Sequence, residues 1–227
     1  MSIDWLPFVL QTSDPLFPTG SYAHSFGFEE FVRLTGATDE RALEQFLNLS
    51  IIPALSRQEL PYLRYAHESS AANDLPGLAA LDREINAWKI PAELRSASAR
   101  LGARRLDILM KTSPTPVLSG IARRVATGEM HGHHLTVSGA QYAGLPLEAA
   151  LMTYFYQVIS SYCVAALKLI RIGQEGCQRV LGACLGRAPQ AVGESLGVSR
   201  PEAGCFNPLL EIASMRHETA YERLFIS

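Results

Sequence analysis

Residues 131–134 read HGHH, which places three imidazoles, His131, His133 and His134, within four consecutive positions. Imidazole is a common ligand for zinc, copper and nickel, so three on one loop could take up a metal ion without a rigid cage. Glu129 is the nearest carboxylate; the other reading of the same histidines is capping of neighbouring helices or contact with a partner. A second candidate, HETAY at 217–221, falls short of the HExxH zinc motif because Tyr221 stands where the second histidine belongs. His217 and Glu218 are adjacent and leave a helix in different directions, which fits capping or interface hydrogen bonds better than joint catalysis. His24 lies five residues from Glu29 and six from Glu30, neither a same-face helical spacing, so an acid–base pair there is disfavoured. Four cysteines, Cys163, Cys177, Cys184 and Cys205, include no CxxC pair; Cys163 reads as a small core residue, and Cys177 and Cys184 fall near one helix face. Phosphate-cradling GxxxxGK[ST] and GxGxxG loops and the GxSxG nucleophile elbow are all missing.

Such residues need elements to hold them. The 227 residues are 48% hydrophobic and 19% charged, which is the balance of a globular chain. Net charge is −2 and lysines and arginines form no run, which disfavours nucleic acid and anionic membrane as partners. Residues 149–167 are uncharged and nearly long enough to span a bilayer. Thr153, Gln157, Ser160 and Ser161 nevertheless stack on one face, which predicts a helix packed among other helices. No cationic leader followed by an apolar stretch opens the sequence, and a cytoplasmic location is expected.

Nearly every long segment repeats at the helical period, and the expectation is an all-α, single-domain bundle of about eight to ten helices spanning residues 1–227. Thr38 is a candidate N-cap for a helix carrying Leu43, Phe46, Leu47, Ile51 and Leu55, with Pro53 expected to kink or break it. A helix from Pro91 puts Leu94, Ala97, Leu101 and Ile108 inward and Arg95, Arg100, Arg104 and Arg105 toward water. Further helices are expected over 146–171, 174–187 and 209–223. Residues 128–144 read as a loop containing HLTVSG, an isolated β-favourable stretch. In DPLFPTGSYAHSFGFEE, two prolines and a glycine preform the backbone, and Ser21 is placed to cap a helix from Tyr22. Its aromatics Tyr22, Phe26, Phe28 and Phe31 circle more than one face, which leaves Tyr22 or Phe28 for contact with something else.

Two motifs, FPTGSYAHSFGFE near the start and SMRHETAYERLFIS in the closing stretch, resemble the urease accessory protein F family (UreF). ELRSASARLGARRL, GHHLTVSGA, GLPLEAALMTYFYQVISSYCVAALKLI and RIGQEGCQRVL are similar to the family's intervening segments, in the same order. The family commonly has proline after the central Gly-His, where this chain has His134. The resemblance implies a non-enzymatic, all-helical assembly factor for the nickel enzyme urease. It implies a homodimer that binds UreD/UreH, recruits the nickel-carrying GTPase UreG and docks on the urease apoprotein, with nickel handled by the complex and no cofactor held stably. Carried over residue by residue, the partner-binding surface falls on Phe17, Pro18, Gly20, Ser21, Tyr22, His24, Ser25, Phe26, Gly27 and Glu29, and on Met215, His217, Glu218, Tyr221, Arg223, Leu224, Phe225 and Ser227. The closing stretch is then expected to bind outside its own core, so that removing 221–227 leaves the fold intact. The rival expectation is a stand-alone nickel- or zinc-binding protein using His131, His133 and His134.

Overall fold

A computed structural model describes residues 3–14 and 17–227, and the regular structure among them is helical throughout, without a strand. The expected all-α class holds. Pro15, inside the proline-rich loop, lies outside the described residues. The chain divides into two compact units: Met1–Gly20, Tyr62–Trp88 and Ser98–Tyr154 form the first, and Ser21–Pro61, Lys89–Ala97 and Phe155–Ser227 the second.

The first unit holds α1 (Leu6–Ser13), most of α5 (Leu60–Ala71), α6 (Leu75–Trp88), most of α7 (Ala92–Thr112), α8 (Pro116–Ala126), α9 (His134–Gln141) and the start of α10 (Leu147–Leu169). Leu78, Leu81 and Ile85 line the inner face of α6 at helical spacing and are buried with Leu63, Leu109, Leu118 and Ile121. Residues 134–141, expected within a loop, are instead helical. β-Branched Thr136 and Val137 are poor helix formers, but burial of all residues from Leu135 to Gln141 overrides their preference. Arg105, expected in water, is buried.

The second unit holds α2 (Phe28–Thr35), α3 (Glu40–Phe46), α4 (Ile52–Ala54), α11 (Gln174–Gly186), α12 (Ala188–Gly197), α13 (Pro208–Glu218), and the remainders of α5, α7 and α10. Phe28, Phe31, Phe46 and Tyr162 pack as an aromatic cluster with ring centres 4.4–6.2 Å apart. Asp39, not Thr38, caps α3 by accepting from Ala42 N at 2.9 Å. The helix does not break at Pro53. It runs on from α3 to α5 through two wider π-helical turns, Leu47–Ile51 and Leu55–Glu59, each a few residues before a proline. A proline removes one amide and crowds the carbonyl a turn earlier, and a π turn makes room for both effects. Two carbonyls of this stretch are met from outside the helix: Gly204 N donates to Arg57 O at 3.0 Å and Asn207 Nδ2 to Ser50 O at 3.1 Å.

Among the described residues, α10 is the one helix long and apolar enough to cross a membrane, and 56% of its most apolar window is buried inside the protein. Its polar stripe is partly satisfied within the helix: Thr153 Oγ1 donates to Ala149 O and Ser161 Oγ to Val158 O, both at 2.7 Å. That is the pattern of a core helix among helices.

Candidate functional site

Helix α2 begins at Phe28, later than Tyr22. Ser21–Ala23 forms a short 3-10 turn, and Phe26 and Gly27 follow with φ of 51° and 85°. Glycine is required at 27, since a Cβ would come within 2.5 Å of Ser214 Oγ on α13. This close approach lays α13 against α2. Phe28 is accordingly core, and Tyr22 is left outside at 66% exposure.

The closing stretch is tied to the same place. Ile226 N donates to Ala23 O at 2.8 Å; Ser25 N, Phe26 N and the Ser25 hydroxyl all donate to Ser227 O. The His24 Nδ1 and Ser227 Oγ lie 2.6 Å apart. Glu29, almost fully buried, accepts from Leu224 N at 2.8 Å through Oε1 and from Phe225 N at 3.0 Å through Oε2. His217, also buried, lies between two carboxylates: Nε2 is 3.1 Å from Glu29 Oε2 and Nδ1 is 2.8 Å from Glu93 Oε2. In its protonated form the ring donates to both at once. Arg223 reaches the other Glu93 oxygen at 3.2 Å, Arg216 pairs with Glu30 at 3.1 Å, and Arg33 donates to Glu222 O at 2.9 Å.

The expectation that the closing stretch binds only outside its own core is therefore corrected. Buried carboxylates on α2 and α7 need donors, and this stretch supplies them from its backbone and from His217. Side chains alternate along it. Phe225 and Ser227 point inward, with Lys168 Nζ 5.2 Å from the Phe225 ring, whereas Leu224 and Ile226 point out. Tyr221 is wholly exposed and Leu224 is 72% exposed. On α13, Leu209, Ile212 and Met215 recur every third residue on the outer side, while Ala213, Ser214 and His217 face inward. Glu218 is exposed at the helix end. Of the predicted surface, His24, Ser25, Glu29, His217 and Phe225 thus hold the clasp, and Tyr22, Met215, Tyr221, Arg223 and Leu224 are presented by it. Pro18 and Gly20 belong to the first unit, where Pro18 O accepts from Arg104 Nε at 3.3 Å. Sequence reading missed Glu93 and Arg216, whose partners His217 and Glu30 lie more than a hundred residues away along the chain.

The histidine loop in the first unit is held from beneath. Asp82 on α6 is fully buried and accepts from His131 N at 2.6 Å, Gly132 N at 3.1 Å, His133 N at 2.8 Å and Thr136 Oγ1 at 2.9 Å. The carboxylate gathers successive amides leading into α9, where the helix dipole also favours a negative charge. A Cβ at Gly102 would sit 1.9 Å from Gly132 O, so α7 passes directly against the loop. His133 is buried, with Nδ1 3.2 Å from Ser98 Oγ and Nε2 3.3 Å from Asn86 Oδ1. His131 is exposed. Among the described residues, no group of three or more His, Cys, Asp or Glu is disposed to hold a metal ion. An aspartate inside the apolar pattern LAALDREI is the one sequence signal that could have found Asp82.

The buried thiols are held neutral. Burial pushes Cys163 up to about 12 and Cys184 up to about 11, and raises Cys177 as well. Cys177 Sγ donates to Cys163 O at 3.3 Å. Thiols in this state are neither ready nucleophiles nor thiolate ligands near neutral pH.

Residues 37–185, more than half of the chain, match the UreF family. The chain belongs to the UreF family of urease accessory proteins. It is 31% identical over 220 residues to the urease accessory protein UreF of Arthrobacter sp. strain FB24, covering 96% of this chain and 95% of that one. To UreF of Actinobacillus pleuropneumoniae it is 30% identical over 221 residues, covering 96% and 97%. UreF of Corynebacterium glutamicum strain R aligns over the full length of both chains at 28% identity. Membership places this UreF-family chain in urease maturation. The clasp lies largely outside the matched family segment but within the full-length alignments.

Proposed function

We propose that this UreF-family chain is a scaffold that acts by binding and not by bond chemistry. In this reading it forms a homodimer in the cytoplasm, binds UreD/UreH, and brings the nickel-carrying GTPase UreG to the urease apoprotein. Nickel is cargo of the assembled complex, and GTP-dependent insertion is the step the scaffold organises. One observation supports this above the others: large apolar side chains stand in water on a backbone fixed from within. Tyr221 is entirely exposed and Leu224 largely so, while the backbone amides of Leu224 and Phe225 donate to buried Glu29. A surface ordered before binding loses less conformational entropy on association, and exposed aromatics are the residues that most often anchor interfaces.

The test is size-exclusion chromatography of the purified chain with UreD/UreH and GTP-loaded UreG, wild type beside Tyr22→Ala, Tyr221→Ala and Leu224→Ala. The scaffold reading expects a single larger species with wild type and its loss with the outward-facing substitutions. Co-elution of all three variants as tightly as wild type contradicts it.

A further inference from the structure

The clasp closes on a histidine that faces a carboxylate from each ring nitrogen. Buried His217 has Nε2 3.1 Å from Glu29 Oε2 on α2 and Nδ1 2.8 Å from Glu93 Oε2 on α7. A neutral imidazole carries one N–H, so it would satisfy one of these oxygens and set a lone pair against the other. Both Glu29 oxygens also accept backbone amides, from Leu224 and Phe225, which keeps that carboxylate an acceptor. Every hydrogen bond at the ring is made only when both of its nitrogens carry protons. The surrounding charges agree. On α2, Glu30 has two arginines of its own, Arg33 and Arg216 of α13. Glu29 and Glu93 have Arg223 between them, on Glu93 Oε1, and a protonated His217 is the second cation that balances the pair. The other charged or titratable groups at the closing stretch lie on its far residues: Lys168 of α10 stands over the Phe225 ring, and His24 meets Ser227 Oγ.

We propose that closing the clasp takes up one proton, held by His217 between Glu29 and Glu93, so that pH sets how firmly the closing stretch is tied down. With the clasp open, the ring titrates as an ordinary imidazole and is mostly neutral above about pH 7. Above that pH closure draws a proton from solution. The closed form then loses about tenfold against the open form for each further pH unit, until the closed ring itself gives up its proton. Below that pH no proton is drawn, and the clasp is at its firmest. The device belongs to the free chain and is the same whichever partner the displayed strip meets.

The test is amide exchange at Leu224 and Phe225 in the purified full-length chain from pH 6 to pH 9, each rate divided by that of an unstructured peptide at the same pH. Protection of both amides is expected to fall about tenfold per pH unit above about pH 7, while the His133 amide held at Asp82 keeps its protection. In Glu93→Gln, the amide oxygen still accepts from Arg223 and the amide N–H donates to Nδ1 of a neutral ring, whose own N–H goes to Glu29. This variant is therefore expected to hold its protection within about threefold over the whole range. The ring nitrogen resonances of His217 report the proton directly, and at pH 6 both nitrogens should be protonated in wild type. Wild-type protection that does not fall with pH overturns the proposal. So does a Glu93→Gln protein with the wild-type slope, or a singly protonated His217 ring at pH 6 with both amides protected. Should Glu93→Gln leave the amides open at every pH, the wild-type profile and the ring resonances decide alone.

Discussion

Asp82 in the first unit and Glu29 in the second perform the same physical task with opposite results. Each is a buried carboxylate that gathers backbone amides of a distant segment: three for Asp82, two for Glu29. Around Asp82 the segment closes inward, with His133 bonded on both ring nitrogens and α9 wholly buried beyond it. Around Glu29 the segment bends at Leu224 and Phe225, so both successive amides turn to one carboxylate while the side chains divide between inside and outside. Phe225 and Ser227 go in; Leu224 and Ile226 stay out. The same anchoring chemistry therefore sits under a buried helix in one place and under a partly exposed apolar strip in the other, and the local backbone conformation decides which.

The comparison can be broken most severely at Asp82. Asp82→Ala strands three amides and the Thr136 hydroxyl in a fully buried place, a loss of about 4 kcal/mol or more and a fall of roughly 8–16 °C in Tm. A Tm within 2 °C of wild type, on this scale, would mean the loop is not held there. Glu29→Ala comes next. It leaves two amides and the Nε2 side of His217 without a partner, at about 3 kcal/mol. Amide exchange at Leu224 and Phe225 should then rise to that of an open chain, and removal of 221–227 should lower Tm similarly. The outward residues sharpen the contrast. Tyr221→Ala and Leu224→Ala should change Tm by no more than about 2 °C, yet each should weaken UreD/UreH binding at least about tenfold.

The smallest effect concerns the thiols, where the pH sense is fixed by the direction of the shifts. Cys163 and Cys184 are pushed above the ordinary thiol value, to about 12 and about 11. Native protein keeps them protonated while unfolded chain releases the protons. The stability they contribute is thus complete below the ordinary thiol range and falls as pH climbs through it toward those values. Thiol titration at pH 8 should find them unreactive in the native protein and reactive on unfolding.

The helical class was legible because α7 and α10 repeat their apolar residues over many turns. Other elements were not, for reasons that lie outside their own residues. α9 looks like a strand fragment and is a helix because Asp82, some fifty residues earlier, gathers the amides at its start. Pro53 looks like a break and is absorbed by a π turn. Arg105 follows the wet-face spacing of α7 and is buried because Gln141 and Phe17 cover it. At the clasp, residue types in both motifs were readable, but the division between holding and displaying was not. That division depends on Glu93 and on an alternation visible only once Phe225 is seen to be inside.

The claim that the clasp displays a preformed surface is tested most directly by one paired measurement on the Tyr221→Ala/Leu224→Ala double variant. Amide exchange at 224 and 225 is followed in the free protein, and UreD/UreH affinity is measured on the same sample. The account predicts wild-type protection of both amides with affinity reduced about a hundredfold or more. Unprotected amides in the wild-type protein, or full affinity in the double variant, would contradict it.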